Sequence, residues 1–170
     1  NIAKNACEIQ VEIEETYETD EYTRYRYVFE SEKGCYVPCY LLISKTNQEK
    51  YPVCVCVQGH STGFHISIGV KKYDEDDGNL ETSTFALDAV KHGYAALCIE
   101  QRGMGERQTP IQHRGRVEGT GCPCYYTALT ALLTGRTLMG ERVWDVSRAI
   151  DSLSFFEHLD LEDITCVGQS

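Results

Sequence analysis

The sequence predicts an α/β fold, in which a mostly parallel sheet with flanking helices follows an N-terminal antiparallel hairpin. Three short apolar runs, at residues 53–57, 95–99 and 161–167, are typical of strands that are covered on both faces. Stretches with helical spacing of apolar residues separate these runs. Because strands that alternate with helices pair in parallel through right-handed crossovers, the three runs predict neighbouring strands of one sheet.

Residues 1–50 are predicted to form the hairpin region. Apolar and acidic residues alternate from 7 to 21, with the apolar residues 9, 11 and 13 on one side, as in an edge strand with one solvated face. Two β-rich runs, at 25–30 and 35–43, flank a Gly-containing turn sequence and predict the hairpin itself. Pro38 in the second run has no N–H to donate, so we expect its strand to lie near a sheet edge or to carry a bulge there.

The stretches between the apolar runs predict three helices, at residues 82–92, 127–133 and 143–156. The first ends before Gly93, which suits the left-handed conformation that follows many helices. Trp144 and Asp145, in the third, are interpreted as a packing aromatic residue and an exposed or capping carboxylate. Arg148 and Asp151 lie three residues apart, so we expect them to pair on the helix surface.

Charge and hydropathy exclude several classes of protein. Sixteen basic residues against 26 acidic ones give a formal net charge of −10, which argues against a protein that binds nucleic acid by neutralising phosphates. No stretch approaches the roughly 18 apolar residues that span a bilayer, and the N-terminus lacks a signal pattern. We therefore expect a cytoplasmic protein with neither nucleic acid nor a membrane as partner.

Nine cysteines raise the question of disulfides or a metal site. No Cys-x-x-Cys pair exists, and Cys54 and Cys56 share one face of a predicted apolar strand. Buried free thiols in a reducing compartment are the simplest interpretation. The acidic run at residues 74–77 is interpreted as a solvated turn, with a calcium site as the less favoured alternative. We expect no metal and no organic cofactor.

Three segments that follow the predicted core strands contain candidate chemistry. Gly168-Gln169-Ser170 follows the third apolar run, where a sharp strand-to-helix turn would present a serine hydroxyl above the sheet. An ordinary serine at a strand end is the simpler interpretation of this triplet by itself. Residues 58–63 and 100–107 follow the first two runs. Because the carboxyl ends of parallel strands share one edge, we expect the three segments to lie close together.

Two of these segments offer specific groups. Between Gly59 and Gly63, a backbone amide near His60 or Ser61 could donate to a developing oxyanion. Arg102 in the later segment either orients this edge or packs against a carboxylate in the ordinary way.

Taken in order, these motifs resemble the α/β-hydrolase superfamily and, more narrowly, the esterases related to acetyl xylan esterase and dienelactone hydrolase. The resemblance rests on residues 53–63, on 99–105 as the match to Asp-x-Arg-Gly-x-Gly, on the helix RVWDVSRAIDSL and on 163–170. Glu100 departs from the Asp of many relatives, a change that we expect to affect only loop packing.

The resemblance implies an α/β-hydrolase fold in which residues 51–170 form the core up to the nucleophile elbow and 1–170 form the N-terminal portion of a single domain. It implies that Ser170 is the nucleophile and that the His60 N–H, or else that of Ser61, is an oxyanion donor, with Gly59 and Arg102 in the substrate loops. The acid and histidine of a catalytic triad are expected after Ser170. His60, His65 and His113 precede the serine and so do not fit the family order as base.

The implied function is hydrolysis of a carboxylic ester, such as an acetyl group on a carbohydrate, through an acyl-enzyme. The isolated 170-residue chain is expected to be inactive. A serine peptidase of the same fold and a binding domain without catalysis are the alternatives, and the oligomeric state stays open.

Overall fold

A computed structural model of the chain describes residues 6–108 and 124–169. Its main feature is a six-stranded mixed sheet with the order β1-β2-β3-β5-β4-β6. The strands are β1 (Val11–Glu18), β2 (Tyr22–Glu32), β3 (Cys35–Ser44), β4 (Tyr51–Val57), β5 (Ala95–Ile99) and β6 (Leu159–Gly168). β1, β2 and β3 pair antiparallel in succession, β3 pairs antiparallel with β5, and β5, β4 and β6 pair in parallel. The predicted α/β fold is confirmed, with β1 at the edge of the sheet.

The described parts of the chain contain four helices between the strands. They are α1 (Asp77–Leu80), α2 (Phe85–Lys91), α3 (Cys124–Leu133) and α4 (Leu138–Ser152). Short 3-10 turns cover Phe64–Ile68, Asp74–Asp76, Gly105–Arg107 and Leu153–Phe155. Gly93 follows α2 with a φ of 82°, as predicted for a residue beyond a helix C-terminus. The Thr137 hydroxyl begins α4 by accepting the N–H of Gly140.

The helices cover both faces of the sheet because its strands alternate two sets of apolar side chains. On one face, Leu41, Val55 and Leu97 pack with Ala149 and Leu153 at the end of α4. On the other, the set Leu42, Cys54, Cys56, Ala96 and Cys98 packs with Phe64, Ala86 and Val90. The fold therefore has three layers, and residues 53–56 and 95–99 of the first two apolar runs are buried between helices, as predicted.

Pro38 corrects one prediction, since β3 is an interior strand with β2 on one side and β5 on the other. The β5 ladder begins at Cys39, and the Pro38 carbonyl accepts the Glu100 N–H just beyond it, at 3.0 Å. The reciprocal bond would need an N–H on Pro38. The Glu100 carbonyl instead accepts Nη1 of Arg107, at 3.1 Å. An interior proline is tolerated because a side chain supplies the donor that it lacks.

β6 corrects a second prediction, because most of its residues are exposed although its sequence is an apolar run. Leu161 is 43% exposed, and Cys166 is also exposed. Within the two described ranges, β6 pairs with β4 alone and forms the second edge of the sheet. Periodicity thus predicted the strand correctly, but not its burial.

The cysteines largely follow the prediction of free thiols. The eight within the described ranges are all free, and Cys39, Cys54, Cys56 and Cys98 are buried. In those same ranges, no group of three or more His, Cys, Asp or Glu side chains could hold a metal ion. None of the helices there is long and apolar enough to cross a bilayer.

Candidate active site

The carboxyl ends of β4, β5 and β6 bring the three predicted segments to one edge of the sheet. Val57 at the end of β4 pairs with Gly168 of β6, and the Gln169 N–H donates to the Val57 carbonyl at 3.3 Å. The Gln101 side-chain amide, just after β5, donates to the Gln58 carbonyl, just after β4. The edge predicted from the sequence is therefore present. Ser170 itself lies outside the described residues, as does His113.

The loop after β4 runs from Gln58 to Gly63. His60 is exposed and Ser61 is half-buried, with Ser61 Oγ 3.4 Å from both the carbonyl and the amide N of Gly63. His60 Nε2 lies 3.3 Å from Cys124 Sγ, at the start of α3. The N–H groups of His60 and Ser61 stay predicted oxyanion donors, and Gly59 stays a predicted substrate-loop residue.

A buried carboxylate holds the end of this loop. Asp76 is fully buried and accepts four hydrogen bonds, from the Thr62 hydroxyl, from His65 Nε2 at 3.0 Å, and from the N–H groups of Lys72 and Tyr73 at 2.8 and 2.9 Å. Burial raises its pKa, but these donors more than offset that effect and lower the pKa to about 2. Asp76 is therefore ionised near neutral pH.

The same contacts define the state of His65. Burial and the nearby Lys72 lower the pKa of its imidazole below the usual value although Asp76 acts to raise it, so the ring is neutral near pH 7. Because ionised Asp76 can only accept, Nε2 carries the proton. This arrangement makes His65 a donor that positions Asp76.

Glu100 fills the space between the loops after β4 and β5. Its buried carboxylate accepts the N–H groups of Phe64 at 3.4 Å and Glu106 at 3.2 Å. Gly105, at a φ of 44°, makes this approach possible, because a Cβ there would lie 2.0 Å from Glu100 Oε2. Gly63, at a φ of 151°, is likewise closed in by His65 and Glu100. Burial raises the pKa of Glu100 to about 7, although the two N–H donors act to lower it.

Arg102 lies in a group of half-buried guanidinium groups and buried carboxylates that we call the arginine cluster. Its members are Arg102, Arg107, Arg136, Glu32, Glu141 and Asp145. Arg102 binds Asp145 through two bonds of 2.7 and 2.8 Å and also contacts Glu32 at 2.8 Å. Arg107 contacts Asp145 at 2.7 Å. Of the two interpretations left open for Arg102, the contacts support packing against carboxylates.

Asp145 corrects the interpretation of this residue as an exposed or capping carboxylate, because its side chain is buried among the arginines. Burial raises its pKa, but the guanidinium groups of Arg102 and Arg107 more than offset this and hold the pKa below its usual value. The buried residues of α4 are Glu141, Asp145, Ala149 and Ser152. Their helical spacing was visible in the sequence, whereas Val143, expected on the apolar face, is 61% exposed. Arg148 and Asp151 do pair, at 2.8 Å.

Two further histidines lie away from the edge. His92 precedes β5 and contacts the Asp88 carbonyl, while His158 precedes β6 and contacts the Glu49 carbonyl. Both precede the strands whose carboxyl ends form the site, so both belong to the opposite edge of the parallel region.

Comparisons with known proteins agree with this architecture. A model of the Abhydrolase family matches residues 2–120. Comparison with curated proteins finds no match. A solved structure from Bacteroides fragilis, described as an acetyl xylan esterase, is 18% identical, with a TM-score of 0.81. The match covers 99% of this chain and 44% of the Bacteroides fragilis chain.

Two other structures are similar over 96% of the chain. Acetyl Xylan Esterase 1 from Thermoanaerobacterium is 14% identical, with a TM-score of 0.62 and 46% of its own chain covered. The glucuronoyl esterase from Solibacter usitatus is 14% identical, with a TM-score of 0.65 and again 46% covered. At these identities the likeness shows the fold, and the chain spans less than half the length of each of the three structures.

Proposed function

The chain belongs to the Abhydrolase family, and from this premise we propose that the protein is a serine-dependent carboxylic ester hydrolase that acts through an acyl-enzyme on Ser170. The observation that carries the proposal is the pairing of Val57 with Gly168 at the carboxyl edge. It brings Gly168 and Gln169, which precede Ser170 in the sequence, alongside the start of the loop that contains His60 and Ser61. A nucleophile and an oxyanion donor are the two groups that acyl transfer requires at one carbonyl.

In the proposed reaction, the Ser170 oxygen bonds to the acyl carbon while its proton passes to a base. The carbonyl π electrons move onto the oxygen, and the N–H of His60, or of Ser61, donates to that oxyanion. Collapse of this intermediate breaks the bond to the alcohol, which leaves with the proton. Water then attacks the acyl-enzyme by the same route and releases the carboxylic acid.

We further propose a small acyl group on a carbohydrate, such as acetate, as the substrate. The support is that the similar structures from Bacteroides fragilis and Thermoanaerobacterium are described as acetyl xylan esterases. At 18% and 14% identity, this likeness is one of fold.

The test is labelling of the full-length protein with a fluorophosphonate, which forms a covalent adduct with an activated serine. We expect a single adduct that maps to Ser170 and is abolished by Ser170→Ala. Ser61→Ala is the matched control, because it removes a loop hydroxyl but keeps the backbone N–H, and we expect labelling to persist. An adduct on another residue, or none on the folded protein, would overturn the proposed nucleophile.

Release of acetate from acetylated xylo-oligosaccharides, measured beside cleavage of peptide amides, tests the substrate class. We expect acetate release by the wild type and by Ser61→Ala, and none by Ser170→Ala. Amide cleavage without acetate release would favour the serine peptidase alternative.

A further inference from the structure

The acidic run at residues 74–77 contains one side chain unlike the other three. Asp74, Glu75 and Asp77 are exposed, whereas Asp76 has no exposed surface. Its two carboxylate oxygens accept four hydrogen bonds from the protein. A carboxylate occupied in this way has little capacity left for a cation, so its partners define its role.

Those partners join two segments that are separate in the sequence. Oδ2 accepts the N–H groups of Lys72 and Tyr73, which fixes the carboxylate within its own turn. Oδ2 also accepts the Nε2–H of His65, which lies in the 3-10 turn after the β4 loop. Oδ1 accepts the hydroxyl of Thr62, in the loop after β4. Thr62 Oγ1 also lies 3.2 Å from His65 Nε2, so three side chains meet at one point.

Thr62 lies at one end of the loop after β4, so its bond to Asp76 holds that end of the loop. At the other end of the loop, Gln58 is buried, with Oε1 accepting the Ser67 hydroxyl at 2.5 Å and its carbonyl accepting the Gln101 amide. Residues 59–61 therefore span between two held points, Gln58 and Thr62. The backbone N–H groups proposed as oxyanion donors belong to this span.

We propose that Asp76 is a positioning residue, whose buried carboxylate holds Thr62 and thereby fixes the direction of the His60 and Ser61 N–H groups. This inference rests on the proposed function, because it concerns the same oxyanion site. An oxyanion donor acts only when it is directed at the developing charge, and misplacement by about 1 Å costs on the order of 100-fold in rate. Release of Thr62 should therefore impair turnover more than substrate binding.

The experiment compares two sets of variants in the full-length protein, with acetate release as the assay. We expect Asp76→Asn to lower kcat on the order of 100-fold and Thr62→Val about tenfold, with KM within about twofold of wild type. Thr62→Ser, which keeps the hydroxyl, should restore most of kcat. Asp74→Asn and Asp77→Asn change exposed carboxylates of the same run and should leave kcat unchanged.

Amide hydrogen exchange gives a readout independent of turnover. The amides of residues 59–62 should exchange at least about tenfold faster in Asp76→Asn and Thr62→Val than in Asp77→Asn, because the span has lost one held end. If Asp76→Asn does not fold, the Thr62→Val and Thr62→Ser pair decides the matter, since that pair differs only modestly from wild type in volume.

The two proposals can fail separately. If the wild type turns over ester but Thr62→Val matches Thr62→Ser in kcat and exchange, this inference is wrong and the proposed function stands. If the wild type forms no adduct at Ser170 and releases no acetate, the proposed function is wrong, and the positioning role fails with it.

Discussion

Two buried polar regions lie at the carboxyl edge of the sheet, and they stabilise their charges in different ways. In the arginine cluster, Asp145 lies within 2.7 Å of two guanidinium groups, those of Arg102 and Arg107. On the side of the β4 loop, Asp76 is held by hydroxyl, imidazole and backbone donors, and Glu100 by two longer N–H contacts. All three carboxylates are at most 2% exposed.

The difference shows that partners, and not burial alone, determine the state of a buried carboxylate. The pKa of Asp145 is lowered by ion pairs, despite a desolvation effect that acts to raise it. Asp76 reaches a pKa of about 2 through hydrogen bonds. For Glu100, burial prevails and raises the pKa to about 7. Glu100 is therefore the one of these three carboxylates whose charge is set to change near neutral pH.

The largest expected effect comes from breaking the arginine cluster. Asp145→Asn removes the charge that compensates Arg102 and Arg107, and loss of one partner of a buried ion pair costs about 3 to 5 kcal/mol. Asp151→Asn is the control on the same helix, where a half-exposed pair with Arg148 contributes less than about 1 kcal/mol. Denaturant unfolding of both variants measures the difference. Equal losses would show that the cluster is not a stronger ion-pair site than the helix surface.

A smaller effect is expected from crowding Glu100. Gly105→Ala combines a left-handed backbone with a Cβ placed 2.0 Å from Glu100 Oε2, and we expect a loss of about 2 to 3 kcal/mol. Gly34→Ala, at a φ of 80° and with nothing within 4 Å of the new Cβ, isolates the backbone cost of about 1 kcal/mol. The two free energies of unfolding should therefore differ. If they are the same, the loops around Glu100 can move apart at no cost.

The smallest expected effect is a dependence of the free energy of unfolding on pH, through Glu100. The pKa of Glu100 rises from 4.5 to about 7 on folding, so its contribution to stability is fully present below pH 4.5 and is lost as pH rises through 7. Glu100→Gln removes this loss. Its stability relative to wild type should therefore increase between pH 5 and 8, by on the order of 2 kcal/mol.

His65 does not obscure this comparison. Its lowered pKa has the opposite sign, because stability is lost as pH falls below 6.5 and the unfolded chain takes up the proton. His65 is the same in both proteins, so its contribution cancels in the difference. Glu157→Gln, at an exposed carboxylate, serves as the control and should track the wild type. A constant difference for Glu100→Gln across this range would contradict the pKa of about 7.

Sequence periodicity predicted the fold because strands and helices each repeat their buried side chains at a fixed interval. It located β4, β5 and the hairpin, and it placed the three candidate segments at one edge. It failed for β6, since an apolar run indicates a strand but not what covers that strand. It also failed for Asp145, because a carboxylate on a helix is expected in water unless its partners are known.

Those partners are distant in the sequence. Arg102 and Glu32 are 70 residues apart, and Arg136 and Glu32 are 104 apart, so no local pattern joins them. Asp76 looked like its three acidic neighbours because composition cannot tell an inward side chain from an outward one. The roles of Ser170, His60 and Ser61 follow from a family resemblance, and they stay predictions for the labelling experiment.

Pro38 also determines which group the Glu100 carbonyl can bind. A valine at this position would carry an N–H aimed at that carbonyl and would compete with Arg107 for one acceptor. The ladder between β3 and β5 would then extend by one bond, and Arg107, which also pairs with Asp145, would be drawn away from the end of β5. Proline removes the competitor. A residue without a donor thus defines the length of the neighbouring strand and reserves an acceptor there for a charged side chain.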